Sequence, residues 1–222
     1  MILDEKKKSL IICDYGNKIV VRWSLENPNG DKEILIENVR CYGLMMNENG
    51  DLFVSDREND AVKRWRKGEI KKGKEGRIVA GGNGRGNQLN QLNGPTYIFI
   101  DREETVYVSD FSNNRVMKWY KGASEGIVVA GGQGQGNSSN QLNYPQGLLV
   151  NEVGDVYVAD CYNHRIMCWP LGSKEGRVVV GGNGAGQGSN QLNYPQGLSF
   201  DVENNLYVAD QLNYRIQRFR VA

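Results

Sequence analysis

Apolar residues come in short, strand-sized runs along this chain, separated by clusters of Gly, Asn, Asp and Pro. That punctuation reads as strands joined by tight turns. In the clearest stretch, Leu148 to Asn151, Asp155 to Asp160, Arg165 to Trp169 and Arg177 to Val180 form four consecutive strand patterns. Glu152-Val153-Gly154, Tyr162-Asn163-His164 and Pro170-Leu171-Gly172 supply the turns between them, and a glycine-rich segment at 181–188 follows. Val156-Tyr157-Val158-Ala159 and Ile127-Val128-Val129-Ala130 are apolar at consecutive positions. Such strands have no wet face, so both sides must be covered.

The unit repeats. Asp14, Asp56, Asp110, Asp160 and Asp210 are each followed nine residues later by a large aromatic: Trp23, Trp65, Trp119, Trp169 and Phe219. An asparagine sits three residues past each aspartate (Asn17, Asn59, Asn113, Asn163, Asn213), and successive aspartates are 42, 54, 50 and 50 residues apart. Four short antiparallel strands at this period predict an all-β chain, a β-propeller of four-stranded antiparallel blades. Five near-complete blades are expected, at about 1–40, 41–90, 91–140, 141–190 and 191–222, the first and last incomplete. The repeated tryptophan, ending each third strand, is expected between blades near the outer rim.

VYVADCYNHRI at 156–166 and LYVADQLNYRI at 206–216 resemble the signature of the NHL repeat. The resemblance thins in units one and two, where Ile19 and Ala61 replace the arginine found at Arg115, Arg165 and Arg215. It implies a propeller, commonly of six blades in that family. Its members include the C-terminal domains of tripartite-motif ubiquitin ligases, RNA-binding repressors, bacterial kinase sensors and an amidating lyase, so the likeness implies a fold and leaves activity open. Leu3-Asp4 aligns with Phe200-Asp201, and the chain ends after the third strand of unit five. Beside six-bladed relatives it reads as a fragment lacking about one blade; closure as a five-bladed ring is the competing reading. Open edges would favour oligomerisation.

Composition narrows the class. Twenty-eight glycines, 39% hydrophobic and 9% aromatic residues suit a soluble, turn-rich β protein, and a net charge of +1 draws no polyanion to the whole surface. No apolar run approaches a membrane span and the N-terminus lacks the apolar core of a secretory signal, which favours a cytoplasmic location. The four cysteines show no metal spacing. Cys13 occupies a small-residue slot filled elsewhere by Ser55, Ser109, Ala159 and Ala209, and reads as a packing thiol. Cys161 and Cys168 flank one hairpin and are the pair considered for a disulfide.

Candidate sites follow from the loops. The repeated aspartates read as acceptors within their own hairpin turns rather than a ring of cation ligands, with Arg115, Arg165 and Arg215 as their inter-blade partners. Segments 81–95, 131–145 and 181–195 are rich in glycine but match no phosphate-loop pattern. They should share a face with the aspartate turns, giving a nearly uncharged surface of Asn90, Gln91, Asn140, Gln141, Tyr144, Asn190, Gln191 and Tyr194, with Tyr42 at the shortened first junction. Neutral donors and acceptors of this kind suit a peptide backbone or a sugar. An insertion after Trp65 gathers Arg64, Arg66, Lys67, Lys71, Lys72 and Lys74, a solvated charge run or a contact for RNA or an acidic partner.

Chemistry for catalysis is sparse. His164 is the one histidine, in a turn position held elsewhere by Lys18, Asp60, Asn114 and Tyr214, so no multi-histidine zinc centre can be built. Gly122 to Gly126 matches a serine-hydrolase string only as a loop spacer. Asn47, Asp101, Asn151 and Asp201 close equivalent strands and could line a channel for calcium, though turn capping explains them more simply. The expectation is a non-catalytic propeller without cofactor or metal, binding a protein or peptide. A calcium-dependent hydrolase or lyase and an RNA-binding platform are the alternatives, and a membrane partner is not expected.

Overall fold

The structure, a computed structural model, describes residues 1–30, 32–71 and 73–221. Its strands fall into five antiparallel sheets that follow chain order. The first holds β1 (Ile2–Asp4), β2 (Ser9–Asp14), β3 (Ile19–Ser24) and β4 (Glu33–Glu37), and the second β5 (Cys41–Met46), β6 (Leu52–Asp56), β7 (Ala61–Trp65) and β8 (Arg77–Gly81). The third runs from β9 (Pro95–Ile100) through β10 (Val106–Asp110) and β11 (Arg115–Trp119) to β12 (Ile127–Gly131). β13 (Pro145–Val150), β14 (Val156–Asp160), β15 (Arg165–Trp169) and β16 (Arg177–Gly181) make the fourth, and β17 (Pro195–Phe200), β18 (Asn205–Asp210) and β19 (Arg215–Arg220) a three-stranded fifth. These meandering sheets are the blades of a β-propeller fold.

The strand reading of the fourth unit agrees with these limits except at its start. β13 begins at Pro145, earlier than Leu148, because its register against β14 slips between those residues. The same bulge recurs at Cys41/Leu44 and Pro195/Leu198. Two compact units divide the chain: 1–106 with 119–126, and 107–118 with 127–222.

Burial follows the unbroken apolar strings. All five positions of β6 and of β14 are buried. In the first unit, Trp65 packs with Ile11, Val20, Ile36 and Val54, so the end of one blade's third strand closes on the neighbouring blade's core. Its indole N–H donates to the Lys74 carbonyl at 2.9 Å, satisfying the one polar atom taken inside. In the second unit, Leu192 leaves its glycine-rich loop to pack with Ala159, Ile166 and Val180 of blade four and Leu206 and Val208 of blade five. Inner strands approach closely enough that a Cβ at Gly43 would strike the Thr96 carbonyl, and one at Gly147 the Gln196 carbonyl. Only glycine fits those positions without displacing a neighbouring strand.

The small-residue slot is a seam. Ser55 Oγ donates to the Thr96 carbonyl and Ser109 Oγ to the Gln146 carbonyl, each at 2.5 Å, from one blade's second strand to the next blade's first. Cys13 makes the equivalent junction covalently. It is disulfide-bonded to Cys41, with Cα atoms 5.3 Å apart and a sequence separation of 28, which corrects its reading as a packing thiol. Cys161 and Cys168 are buried free thiols, and burial pushes the Cys161 thiol up to about 12. Their strands explain the failure to pair: Cys168 lies opposite Tyr157 in the β14–β15 ladder, while Cys161 sits in the turn at its far end.

In blade four, β16 covers Ile166 completely, whereas Ile216, at the same place in β19, is 66% exposed at an edge for which the described residues supply no fourth strand. Among the described residues no helix is long and apolar enough to cross a membrane.

Trp169 is 1% exposed and Trp23 only half-buried. Trp169→Ala should therefore cost about 3–5 kcal/mol and Trp23→Ala clearly less, read from denaturant unfolding midpoints. Equal losses would contradict the placement.

Candidate functional site

Each blade's second hairpin begins at the repeated aspartate, and in unit two that carboxylate organises the loop surface around it. Asp160 is fully buried. Its Oδ2 accepts from Asn163 Nδ2 at 2.8 Å and Arg165 Nε at 2.7 Å, and its Oδ1 from the Asn143 backbone N–H at 2.7 Å. Asp210 repeats this with Asn213 at 2.8 Å, Arg215 at 2.7 Å and the Asn193 N–H at 2.6 Å. The arginines were expected to reach their carboxylates across blades. They instead pair within their own hairpin and use the rest of the guanidinium on the incoming loop. Arg165 donates to the carbonyls of Asn137, Ser138 and Gln141, and Arg215 to those of Gln187, Gly188 and Gln191.

Burial raises the Asp160 carboxyl above the usual range despite bonds from Asn163, Arg165 and Asn143. At Asp210 burial pulls the same way, but Asn213, the Asn193 N–H, Arg215 and Gln217 outweigh it and the carboxyl falls below that range. Blade two lacks the arginine, and Lys63, two residues beyond the slot, reaches Asp56 at 2.8 Å. In blade one, among the described residues, Asp14 accepts only from Asn17, at 3.1 Å from its N–H and 2.8 Å from its side chain. These carboxylates are absorbed by hairpins and loops. The channel candidates are likewise turn caps: Asn47, Asp101, Asn151 and Asp201 each accept the backbone N–H four residues on, at 2.8–2.9 Å. Among the described residues no group of three or more His, Cys, Asp or Glu could hold a metal ion.

The residue after each turn is left-handed, with φ of 48° at Asp60, 51° at Asn114 and 53° at His164. Each uses its side chain to accept the backbone N–H at the entrance of the next blade. Asp60 takes Gly94 at 2.7 Å, Asn114 takes Tyr144 at 2.9 Å, and His164 Nδ1 takes Tyr194 at 3.2 Å. This latch places the tyrosines. Ring centroids run from Phe111 to Tyr144 at 4.7 Å, to Tyr162 at 4.8 Å, to Tyr194 at 4.9 Å, and from Tyr194 to His164 at 4.9 Å. The row is partly open: Tyr162 is 44% exposed. A shorter row in unit one joins Tyr15, Tyr42 and Tyr97 at 6.1 and 5.8 Å, with Arg40 over Tyr15 and Arg57 over Tyr42.

Tyr42, Tyr144 and Tyr194 thus stand in aromatic rows. Phe111, Tyr162, Tyr15 and Tyr97 were missed, although Tyr15 and Phe111 directly follow a repeat aspartate and Tyr162 stands two past one. The glutamines serve their own loops. Nε2 of Gln91, Gln141 and Gln191 donates at 3.0 Å to the carbonyls of Asn83, Gln133 and Asn183, and their Oε1 accepts N–H groups from residues 88, 138 and 188. Asn90 and Asn190 lend backbone carbonyls to Asn83 and Asn183. Asn140 lines a separate groove of about 680 Å³ with Ile127, Val129, Trp169 and Leu171.

The basic insertion divides in two. Arg64 is half-buried and engaged by Asp51 at 3.0 Å and Glu104 at 2.8 Å. Arg66, Lys67, Lys71 and Lys74 are exposed, and Lys72 lies outside the described residues.

Comparisons with known proteins agree with this architecture. Residues 142–169, blade four up to its tryptophan, match the NHL repeat. A search of the curated proteins returned no relative. Among solved structures, two Bacteroides thetaiotaomicron proteins are similar. One, of unknown function, has TM-score 0.69 and 16% identity over 99% of this chain and 58% of its own. The other, an auxiliary nutrient binding protein, has TM-score 0.73 and 16% identity over 98% and 57%. A gluconolactonase of Xanthomonas campestris has TM-score 0.69 and 14% identity over 98% of this chain and 73% of its own. The chain spans less than two thirds of the first two, and identities this low carry the fold alone.

Arg165→Ala would strand a fully buried carboxylate and should cost about 3–5 kcal/mol in chemical unfolding. Arg215→Ala should cost less, because Arg215 is more exposed and Gln217 also holds Asp210, at 3.0 Å.

Burial lowers the His164 pKa below 6.5, against the raising effect of Asp160 and Asp210. The folded state then binds fewer protons than the unfolded chain, so the His164 contribution is complete above about pH 6.5 and is lost as pH falls towards the folded pKa. Asp160 has the opposite slope and is common to wild type and variant. His164→Asn, which copies the Asn114 latch, should remove this acid loss. After correction for the intrinsic exchange rate, which itself slows with acid, the Tyr194 amide should lose protection from about pH 7 to about pH 5 in the wild type and keep it in His164→Asn.

Proposed function

We propose that this chain is a non-catalytic interaction module that binds an extended, uncharged polypeptide segment across the aromatic row of Phe111, Tyr144, Tyr162 and Tyr194. The row itself carries the reading. Two of its four rings, Tyr144 and Tyr194, are set by latches on their backbone N–H groups and the other two pack against them, so much of the ordering precedes a partner and lowers the entropic cost of binding. Tyrosine offers a large apolar body with a hydroxyl at its edge, the side chain most suited to such contacts. Loops 131–145 and 181–195 beside the row carry no charged residue, and the tyrosine hydroxyls bring neutral hydrogen bonding. At about 3.3 Å per residue, four or five residues of extended chain match the row.

The likeness to a nutrient-binding protein and to a gluconolactonase is one of fold, and either activity would have to reside in side chains at the loop face. In this chain those carboxylates are bonded to arginine, asparagine and backbone N–H groups, which favours recognition over hydrolysis.

Selection of random peptides by phage display against the full chain tests the proposal. Peptides recovered should be poor in charge, and Tyr162→Ala should weaken them at least about tenfold, as expected for an interface anchor. Lys71→Ala should leave them unchanged. Acidic peptides that depend on Lys71 would shift the site to the basic insertion, and a stoichiometric calcium heat in calorimetry would support the hydrolase alternative.

A further inference from the structure

Asn137-Ser138-Ser139 has the form Asn-X-Ser, the acceptor sequence for an N-linked glycan. It lies in the loop between β12 and β13, and all three residues are exposed. The loops of the same shape offer no equivalent: Asn87 is followed by Gln88-Leu89, and the matching position before Gly188-Ser189 is Gln187.

The surroundings leave the Asn137 side chain free while fixing its backbone. Its carbonyl accepts from Arg165 at 2.8 Å, and the adjoining Ser138 N–H and carbonyl are taken by Gln141 and Arg165. Other asparagines of these loops and turns, Asn83, Asn163, Asn183 and Asn213, spend their amides on loop carbonyls. Among the described residues no hydrogen bond involves the Asn137 amide. A substituent on Nδ2 would therefore enter solvent without breaking a contact.

A second observation concerns the compartment. The Cys13–Cys41 disulfide joins two blades where the chain lacks a glycine-rich loop, and structural disulfides form and persist in oxidising compartments. N-glycan transfer occurs along the same export route. We propose that Asn137 is a glycan acceptor and that this chain matures in an oxidising, secretory environment. In the transfer, Asn137 Nδ2 attacks C1 of an oligosaccharide carried on a lipid pyrophosphate. The N–C bond forms as the C–O bond to pyrophosphate breaks, the lipid pyrophosphate leaves and the amide loses one proton. This proposal is independent of the peptide-binding reading.

Protein isolated from the cells that make it is the material for the test, digested with and without reduction and with a glycan-releasing amidase. The proposal expects an amidase-sensitive mass on the peptide containing Asn137, its conversion to aspartate on release, and a Cys13–Cys41 linked peptide. Expression of Ser139→Ala in the same cells should abolish the mass and keep the linkage, since Ser139 gives only its backbone carbonyl to the fold, at 2.8 Å from the Gly176 N–H. Unmodified Asn137 would overturn the acceptor assignment, and free thiols at Cys13 and Cys41 would overturn the compartment.

Discussion

A buried carboxylate shared between a hairpin and the loop that enters it is the interaction on which this architecture depends. Asp160 and Asp210 each gather an asparagine and an arginine of their own hairpin and a backbone N–H of the loop that enters the blade. A charge so far from water is tolerable only with most of its lone pairs engaged. The requirement fixes the turn, the loop path and the third strand together, which accounts for the spacing of Asp, Asn and Arg being as regular as the tryptophans. Where the arginine is missing the geometry adapts: Lys63 substitutes from two residues further on, and Asp14 stays at the surface with Asn17 alone.

Much of this was legible in the residues. Unbroken apolar strings such as Val156 to Ala159 required cover on both faces, and strand order followed from turns spaced a few residues apart. The partners of the aspartates were less visible, because a side chain's reach across a hairpin or between blades leaves the same sequence period. Arg165 was therefore assigned to the wrong carboxylate contact. Cys13 and Cys41 were not paired, since they lie 28 residues apart and occupy non-equivalent positions in their units. They meet across the same seam, from one blade's second strand to the next blade's first, that Ser55 and Ser109 bridge with hydroxyls.

The loop face was half legible. Tyr144 and Tyr194 stood out because they precede prolines in repeated strings, whereas Phe111 and Tyr162 hold different offsets from their aspartates yet meet the same row. Rings are placed by direction as much as by register, and direction is set by the left-handed residue at each latch. The glutamines misled in the other sense. Repetition made them prominent, but their amides brace the glycine-rich loops from within. The seam shows the same economy, with one slot making a covalent bond at Cys13 and a hydroxyl contact at Ser55 and Ser109.

The latch residues Asp60, Asn114 and His164 perform one mechanical task with three different lone pairs. In the genetic code, aspartate, asparagine and histidine are one first-base change apart. A lineage can therefore exchange a joint indifferent to acidity for one that loosens in it through a single nucleotide change, blade by blade, without redrawing the scaffold.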